Sequence, residues 1–453
     1  MCGIIGIYAP EATDEAPLVA WAGLFGLQHR GQESAGMAWL SDTSGEIRLR
    51  KAKGLISQSL DPKTIDYGAS NVVIGHCRYS TSGGNSLANA QPLRAVCAQG
   101  QVAIAHNGNI SNINMLKSEL RHKGAIFQST SDTEVILHLI AHRSDLSLEK
   151  AFVAALKRLE GGYALVAIVG DKLMVARDPK GIRPLSLGKV GDKWMAASES
   201  CAIEQLGGKV TRNVKPGEVI IIDGEEPKTI FQFGYTDERI CAFEYVYFSR
   251  PDSMVDDNSV YKARIALGMA LAKSAPVDVD IVCGMPDSGR ISAMGYGRQM
   301  NIPFEEAILR NHFVGRSFIL PDQDAREQAV RQKLRPVSDS LKGKKVVVVD
   351  DSIVRGTTSK YVIKMLKDAG AAEVHMRIAS PPVKWPCFYG IDMPDKSELA
   401  AANYSEEELC ALIGADSIKW LELSDLSPSI CGVEGKICNA CFTGNYLWEE
   451  IHD

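Results

Sequence analysis

Two short stretches combine residue types able to do chemistry. The chain opens "MCGIIG", with Cys2 one residue from the first methionine. Once Met1 is removed, Cys2 carries a thiol and a free α-amine on one residue. An amine with an ordinary pKa of about 7.7–8.0 can serve as general base for its own thiol, so no histidine is required. Gly3 lets a ligand come close to that thiol. Taken alone, the stretch equally describes a buried cysteine at the start of a strand. The second stretch is "VVVVDDSIVRGTTS". Val346–Val349 read as a buried strand with Asp350 and Asp351 at its carboxyl end, where open α/β sheets place ligands. Ser352–Thr358 form a loop leading into a helix. Gly356 permits close approach, and Thr357, Thr358 and Ser359 join the first helical amides in a cradle for phosphate. Two adjacent carboxylates repel bare phosphate but suit ribose hydroxyls or phosphate-bound Mg2+.

Other polar residues gain meaning beside Cys2. "GHCRYST" supplies Arg78, a fork for an α-carboxylate. "AHNGNI" supplies the Asn107 amide and the Gly108 N–H, a pair suited to an oxyanion. "SDTE" supplies Asp132, able to hold an α-ammonium. Each also has an ordinary structural use: Asn107–Gly108 as a hairpin turn, Asp132 as a helix cap, Arg78 as a surface ion pair. As a set they describe a site for an amino-acid amide such as glutamine.

The elements that must position these groups change character midway. The first half alternates short apolar strands with Gly, Asn, Asp and Ser turns. Helices are expected near Pro17–Leu27 and Asp132–His142. Two packed sheets flanked by helices are the simplest layering. This half ends near residue 225, after "NVKPGEVIIIDG". The second half alternates strands and helices, including "YKARIALGMALAKS" and a helix near Ile291–Gln299, which predicts a parallel sheet covered on both faces. The expected domains are 2–230 and 231–453, the second ending in a cysteine-containing tail.

The ordered motifs "CGIIGI", "LQHRGQESAGMA", "GHCRYSTSG", "HNGNI" and "SDTE" resemble the class II, N-terminal-nucleophile glutamine amidotransferases. That resemblance implies a four-layer αββα fold, Cys2, Gly3, Asn107 and Gly108 as catalytic groups, and glutamine contacts at Arg30, Arg78, Thr81 and Asp132. "VVVVDDSIVRGTTS" resembles the phosphoribosyl-pyrophosphate (PRPP) fingerprint of type I phosphoribosyltransferases, which implies a parallel-sheet domain of that α/β type. It implies PRPP contacts at Asp350, Asp351, Ser352, Arg355, Gly356, Thr357, Thr358 and Ser359. "CGMPDSG" is similar to the family's pyrophosphate loop, with Asp287, Ser288 and Gly289. The stretch from Arg310 through Arg316 and Arg331 to Lys333 is similar to its basic lid. Mg2+ would then sit at Ser288, Asp350 and Asp351. Joined in one chain, the halves imply glutamine hydrolysis feeding ammonia to C1 of PRPP, giving 5-phosphoribosylamine at the start of purine synthesis. "FEYVYFSRPDS" at the junction is suited to coupling the two sites, with Tyr247 beside an ammonia route. Inhibition by purine nucleotides and a homo-oligomer, tetramer or dimer, are also implied. The competing readings are another class II amidotransferase, which would not need the PRPP loop, and a non-enzymatic nucleotide-sensing regulator.

The bulk composition fits this picture. The chain has 453 residues, 45% hydrophobic and 23% charged, with net charge −5. It therefore lacks the basic footprint of a nucleic-acid binder. No apolar stretch reaches membrane-spanning length and no signal segment opens the chain, so a cytoplasmic location is expected. The chain reads as intracellular and its eleven cysteines are odd in number, so a full disulfide framework is not expected. Cys438 and Cys441 form a C-x-x-C pair. With Cys241 and Cys387 they make four thiolates, which fit either tetrahedral zinc or a 4Fe-4S cluster; spacing alone does not choose between them, although ligands this dispersed are unlike a compact zinc finger. The resemblance extends to a branch of PRPP-using amidotransferases whose four cluster cysteines match these positions, which implies a structural 4Fe-4S staple.

Overall fold

The computed structural model describes residues 1–79, 86–234, 237–311, 333–393, 395–431 and 435–448. The first half builds a seven-stranded and a six-stranded sheet. Strand Gly3–Thr13 lies inside the first sheet, antiparallel to Ser70–Arg78 and to Lys193–Ala197. Strand Gly100–Ile110 lies inside the second, antiparallel to Gly161–Val169. Both inner strands are apolar on both faces because each sheet is covered on both sides. Ile4, Ile74, Val166 and Ile220 fill the layer between the sheets. Ile5, Leu24 and Met195 pack the first sheet under helix Glu15–Gly26. Val135, Phe152 and Leu165 pack the second under helices Glu134–Ala141 and Leu148–Leu156. The expected αββα layering is present.

The second half holds a four-stranded parallel sheet in the order Ile281–Gly284, Lys345–Asp350, Glu373–Ile378, Ser417–Trp420. Val347 and Val349 face one core and Val346 and Val348 the other, as alternation in a doubly covered strand demands. Helix Arg290–Met300 follows the first strand and helix Thr357–Asp368 the second, so both strand-to-helix loops open at the same carboxyl edge. Strand Lys228–Gln232 completes the six-stranded sheet of the first half, two residues past the expected boundary. No helix among the described residues is long and apolar enough to cross a membrane.

Candidate functional site

In the first half, Cys2 is buried and its thiol lies 3.5 Å from the Tyr79 carbonyl. Its backbone nitrogen donates to Asn107 Oδ1 at 3.1 Å. This nitrogen becomes the α-amine when Met1 is lost. The Asn107 Nδ2 is buried and has no hydrogen-bond partner among the described residues. A buried amide with an unspent donor is costly unless a ligand completes it. Gly108 follows at φ +145°, and a Cβ there would meet the Gly162 carbonyl at 2.0 Å. A Cβ at Gly3 would stand 2.7 Å from Cys77 Sγ. Met1 itself is buried, and burial pulls its α-amine down to about 5.

Arg78 and Asp132, expected to orient a substrate, are both buried in the same half. Arg78 closes strand Ser70–Arg78 and is buried. Asp132 accepts from the Ile110 N–H at 3.1 Å and the Thr133 N–H at 2.9 Å, which anchors it just before helix Glu134–Ala141. It lies 3.7 Å from the His106 ring. Burial pulls the nearby His76 down to about 3, so this imidazole is neutral at physiological pH. Thr81, Arg316 and Arg331 lie outside the described residues.

Arg30 stands differently from its expected role beside glutamine. It is 0% exposed. Its Nε donates to the Cys2 carbonyl at 2.9 Å, and its Nη atoms reach Glu199 at 2.5 Å and Glu244 at 2.9 and 3.1 Å. Two buried carboxylates demand a buried cation, and the guanidinium fork answers both. Glu199 also takes His29 Nε2 at 2.7 Å, the Ser253 hydroxyl at 2.7 Å and the Arg250 N–H at 2.9 Å. These partners hold its carboxyl far below the usual carboxylate range despite burial.

At the carboxyl edge of the parallel sheet, Asp350 and Asp351 are both buried. Burial, reinforced by the Asp351 charge, pushes the Asp350 carboxyl well up. Burial also raises Asp351, opposed by hydrogen bonds from Ser288 and Ser352. The Ser352 hydroxyl donates to Asp351 at 2.5 Å. Gly289 sits so close to this strand that a Cβ would meet the Val349 carbonyl at 2.2 Å. The loop carrying Ser288 and Gly289 and the acidic pair thus share one wall. Gly356 precedes helix Thr357–Asp368, whose start carries no side-chain cap, and Thr357 and Thr358 are exposed there. Ser359 is buried one residue later. Two expected anion contacts are turned elsewhere: Arg310 pairs with Asp287, and Arg355 with Glu398 at 2.7 Å. Local carboxylates compensate these cations in the ligand-free protein. The Lys333 carbonyl accepts from the Asn311 N–H at 2.8 Å, beside the antiparallel pair Ile308–Arg310 and Leu334–Pro336.

The four singled-out cysteines share one neighbourhood. Cys241 and Cys438 are register partners in a two-stranded parallel sheet. The Cys441 carbonyl accepts from the Lys384 and Trp385 N–H groups at 3.0 Å, and the Tyr389 N–H meets Cys387 Sγ at 3.4 Å. Burial, then the charges of Cys387, Cys241 and Cys438, pushes the Cys441 thiol well up. Among the described residues no group of three His, Cys, Asp or Glu is arranged to hold a metal ion.

Sequence reasoning missed Glu199, Arg183 and Arg264. Arg264 had a readable signal: it falls on the apolar stripe of helix Val260–Ser274 with Val260, Leu267 and Leu271, where an unpaired charge is untenable. Arg183 and Glu199 sit in runs with no such contrast.

Comparison with known proteins agrees with both halves. A glutamine amidotransferase domain model matches residues 76–205, and a phosphoribosyl transferase domain model matches residues 270–379. The chain is 44% identical to an amidophosphoribosyltransferase of Archaeoglobus fulgidus, over 98% of each chain. It is 43% identical to that of Bacillus subtilis, over 100% of this chain and 95% of the relative. The solved structure of the Bacillus subtilis glutamine PRPP amidotransferase with ADP and GMP superposes with a TM-score of 0.92 at 42% identity. It covers 100% of this chain and 98% of that one.

Proposed function

The chain belongs to the amidophosphoribosyltransferase family, and on that premise we propose which of its residues carry each half of the reaction. The activity is glutamine-dependent amination of PRPP to phosphoribosylamine, the first step of purine biosynthesis. We assign a glutaminase unit to residues 2–232, two residues beyond the expected 2–230 because strand Lys228–Gln232 closes its sheet, and a transferase unit to the rest of the expected 231–453.

Cys2 attacks the glutamine amide, its own α-amine taking the thiol proton. Asn107 holds that amine through Oδ1 and turns its Nδ2, with the Gly108 N–H, to the oxyanion. Arg78, Thr81 and Asp132 hold the α-carboxylate and α-ammonium. The observation that carries this reading is Asn107 itself: one end bonded to the Cys2 nitrogen, the other buried and unspent. Asn107→Leu is expected to cut glutamine hydrolysis by about 10²–10³-fold, the magnitude of losing one oxyanion donor. Synthesis from ammonia should stay near the parent value. Unimpaired hydrolysis, measured as glutamate release, overturns the assignment.

In the transferase unit, Asp350 and Asp351 hold the ribose hydroxyls, and the loop from Ser352 and Arg355 to Ser359 holds the 5′-phosphate. Ser288 and Gly289 face the pyrophosphate, with Asp287, Arg310 and Lys333 around it. The all-oxygen set Ser288, Asp350 and Asp351 fits Mg2+, which when bound neutralises the departing pyrophosphate. Arg310 and Arg355 must leave Asp287 and Glu398 to reach an anion.

For the cysteines the proposal is a structural 4Fe-4S cluster on Cys241, Cys387, Cys438 and Cys441. It is supported by Arg183, a fully buried guanidinium whose Nε and Nη2 have no hydrogen-bond partner. The charge of Arg183 faces Cys241, Cys387 and Cys438. Unspent cationic donors whose charge is felt by three of the four thiols suit a thiolate-held anion. Protein purified without oxygen is expected to be brown and to hold iron and acid-labile sulfide in equal amounts. Colourless protein with stoichiometric zinc refutes the cluster. Inhibition by purine nucleotides, supported by the Bacillus subtilis complex with ADP and GMP, and a homo-oligomer, tetramer or dimer, complete the proposal.

A further inference from the structure

Two buried amides outside the assigned set stand between the oxyanion group and the ammonium anchor. Asn89 and Gln91 are 2% and 6% exposed. They lie just before strand Leu93–Cys97, whose pairing with Gly100–Ile110 begins at Leu93 opposite Ile104. Pro92 has no N–H with which to extend that ladder. The Gln91 side chain extends it instead: its Oε1 accepts the His106 N–H at 2.7 Å. His106 is the residue before Asn107. The Gln91 Nε2 turns the other way and donates to Thr133 Oγ1 at 2.9 Å. Thr133 is the residue after Asp132. Asn89 holds the other flank of Asp132. Its Oδ1 accepts from the Thr130 and Ser131 N–H groups at 3.0 and 3.2 Å, and its Nδ2 donates to Thr130 Oγ1 at 2.8 Å.

The protons of this bridge have one consistent arrangement. His106 Nδ1 lies 3.1 Å from Thr133 Oγ1, while its buried Nε2 has no partner among the described residues. A bare ring nitrogen is better tolerated there than an unspent N–H, so Nδ1 carries the proton and donates. Burial lowers the pKa of this ring, which favours a single ring proton. Thr133 Oγ1 then accepts from both Gln91 and His106, and its own proton is left for Asp132 Oδ1 at 3.4 Å. No member of the set rotates without leaving a buried donor unpaired. The base of the bridge is equally fixed. A Cβ at Gly36 would meet the Gln91 carbonyl at 2.3 Å, so the segment rests directly on strand Ser34–Leu40. That strand pairs with Ser70–Arg78, Ser34 lying opposite Arg78.

We propose that Gln91 is a positioning residue that fixes the separation between Asn107 and Asp132, so that the site measures the length of its amide substrate. Glutamine has two methylenes between its amide carbon and its α-carbon, and asparagine has one. With the oxyanion group and the ammonium anchor on one rigid bridge, the shorter chain reaches one of them and misses the other. A loosened bridge lets the two groups close on the shorter chain and blurs the alignment of the correct one. Gln91 itself touches no substrate in this account. It acts through His106 on one side and Thr133 on the other. The proposal rests on the assignment of Asn107 to the oxyanion and of Asp132 to the α-ammonium.

The test times alkylation of Cys2 in the full-length protein by two reagents that differ by one methylene. 6-Diazo-5-oxo-norleucine has the length of glutamine, and 5-diazo-4-oxo-norvaline that of asparagine. Steady-state glutamine hydrolysis is measured beside them. The parent protein is expected to favour the longer reagent by about 10–200-fold, the worth of one methylene. In Gln91→Met that preference should shrink by about fivefold or more. Its kcat for glutamine should fall by about tenfold, because the His106 N–H beside Asn107 loses its acceptor, and its KM should rise by a similar factor. Thr133→Val spares the Gln91–His106 bond. It should raise KM more than it lowers kcat, shrink the preference, and keep the test open should Gln91→Met not fold. Thr133→Ser retains the hydroxyl and should behave as the parent does. Folded variants that lose kcat alone, with KM and length preference intact, overturn the proposal, because that is the signature of a smaller active fraction. So does a Thr133→Ser protein as impaired as Thr133→Val, or a parent protein indifferent to reagent length. A parent protein that does not hydrolyse glutamine overturns instead the reading on which the proposal rests.

Discussion

Cys2→Ala is expected to lower glutamine-dependent synthesis of phosphoribosylamine by about 10⁴-fold or more, the scale of losing a covalent nucleophile. Synthesis from free ammonia should persist near the parent rate, because the transferase end has its own residues on a separate sheet. The measurement is pyrophosphate release, once with glutamine and once with ammonium chloride at mildly alkaline pH. Equal losses from both nitrogen sources would refute a nucleophilic role and point to a folding defect. A chain that keeps Met1 should share this phenotype, because its free amine sits one residue too early. Intact-mass measurement distinguishes the two forms. The retained amine has its own pH signature. Its folded pKa, about 5, lies below the ordinary 8.0, so the unfolded chain binds the extra proton between those values. Stability of the unprocessed chain therefore rises from about pH 5 to about pH 8 and is lost as pH falls through that window.

Asp350→Asn has the second large effect, and it acts in two directions. Synthesis from either nitrogen source should fall by about 10²–10³-fold, because both need the ribose held at C1. The ligand-free protein should become more stable at neutral pH, by about 0.5–2 kcal/mol. The sign follows from the raised carboxyl of Asp350. A folded pKa above the unfolded one means the native state holds the proton more tightly. The resulting penalty is absent in acid and grows as pH rises through the folded value. Asparagine removes the charge and with it the penalty, so the gain over the parent protein should shrink in acid. A destabilised Asp350→Asn protein that still turns over PRPP would contradict both the role and the electrostatics. Thermal melts across pH, paired with pyrophosphate assays, read both.

Local patterns foretold most of the elements, and distance in sequence decided what stayed hidden. The expected helix Pro17–Leu27 is found as Glu15–Gly26, and Asp132–His142 as Glu134–Ala141. The Val346–Val349 strand and its acidic end were legible because apolar run, acids, loop glycine and helix start lie in one continuous stretch. Asn107 was legible as a motif, but its split role at Oδ1 and Nδ2 needed the fold. Arg30 shows the limit. Its partners Glu199 and Glu244 lie 169 and 214 residues away, and nothing in "HRGQESAG" distinguishes a substrate clamp from a buried ion-pair hub. The same holds for "FEYVYF": one acid in an apolar run announces a buried carboxylate, yet not the π-helical turn that aims it.

The pairing of strand Ile240–Cys241 with Ile437–Cys438 has a consequence for biosynthesis. Lys436 beside this pair meets Glu238 at a separation of 198 residues. At ordinary translation rates the second partner leaves the ribosome about 10–40 s after the first. The sheets of the first half are complete long before then, but strand Ile240–Cys241 still lacks its partner. This junction therefore closes only once the segment carrying Ile437 and Cys438 has been made.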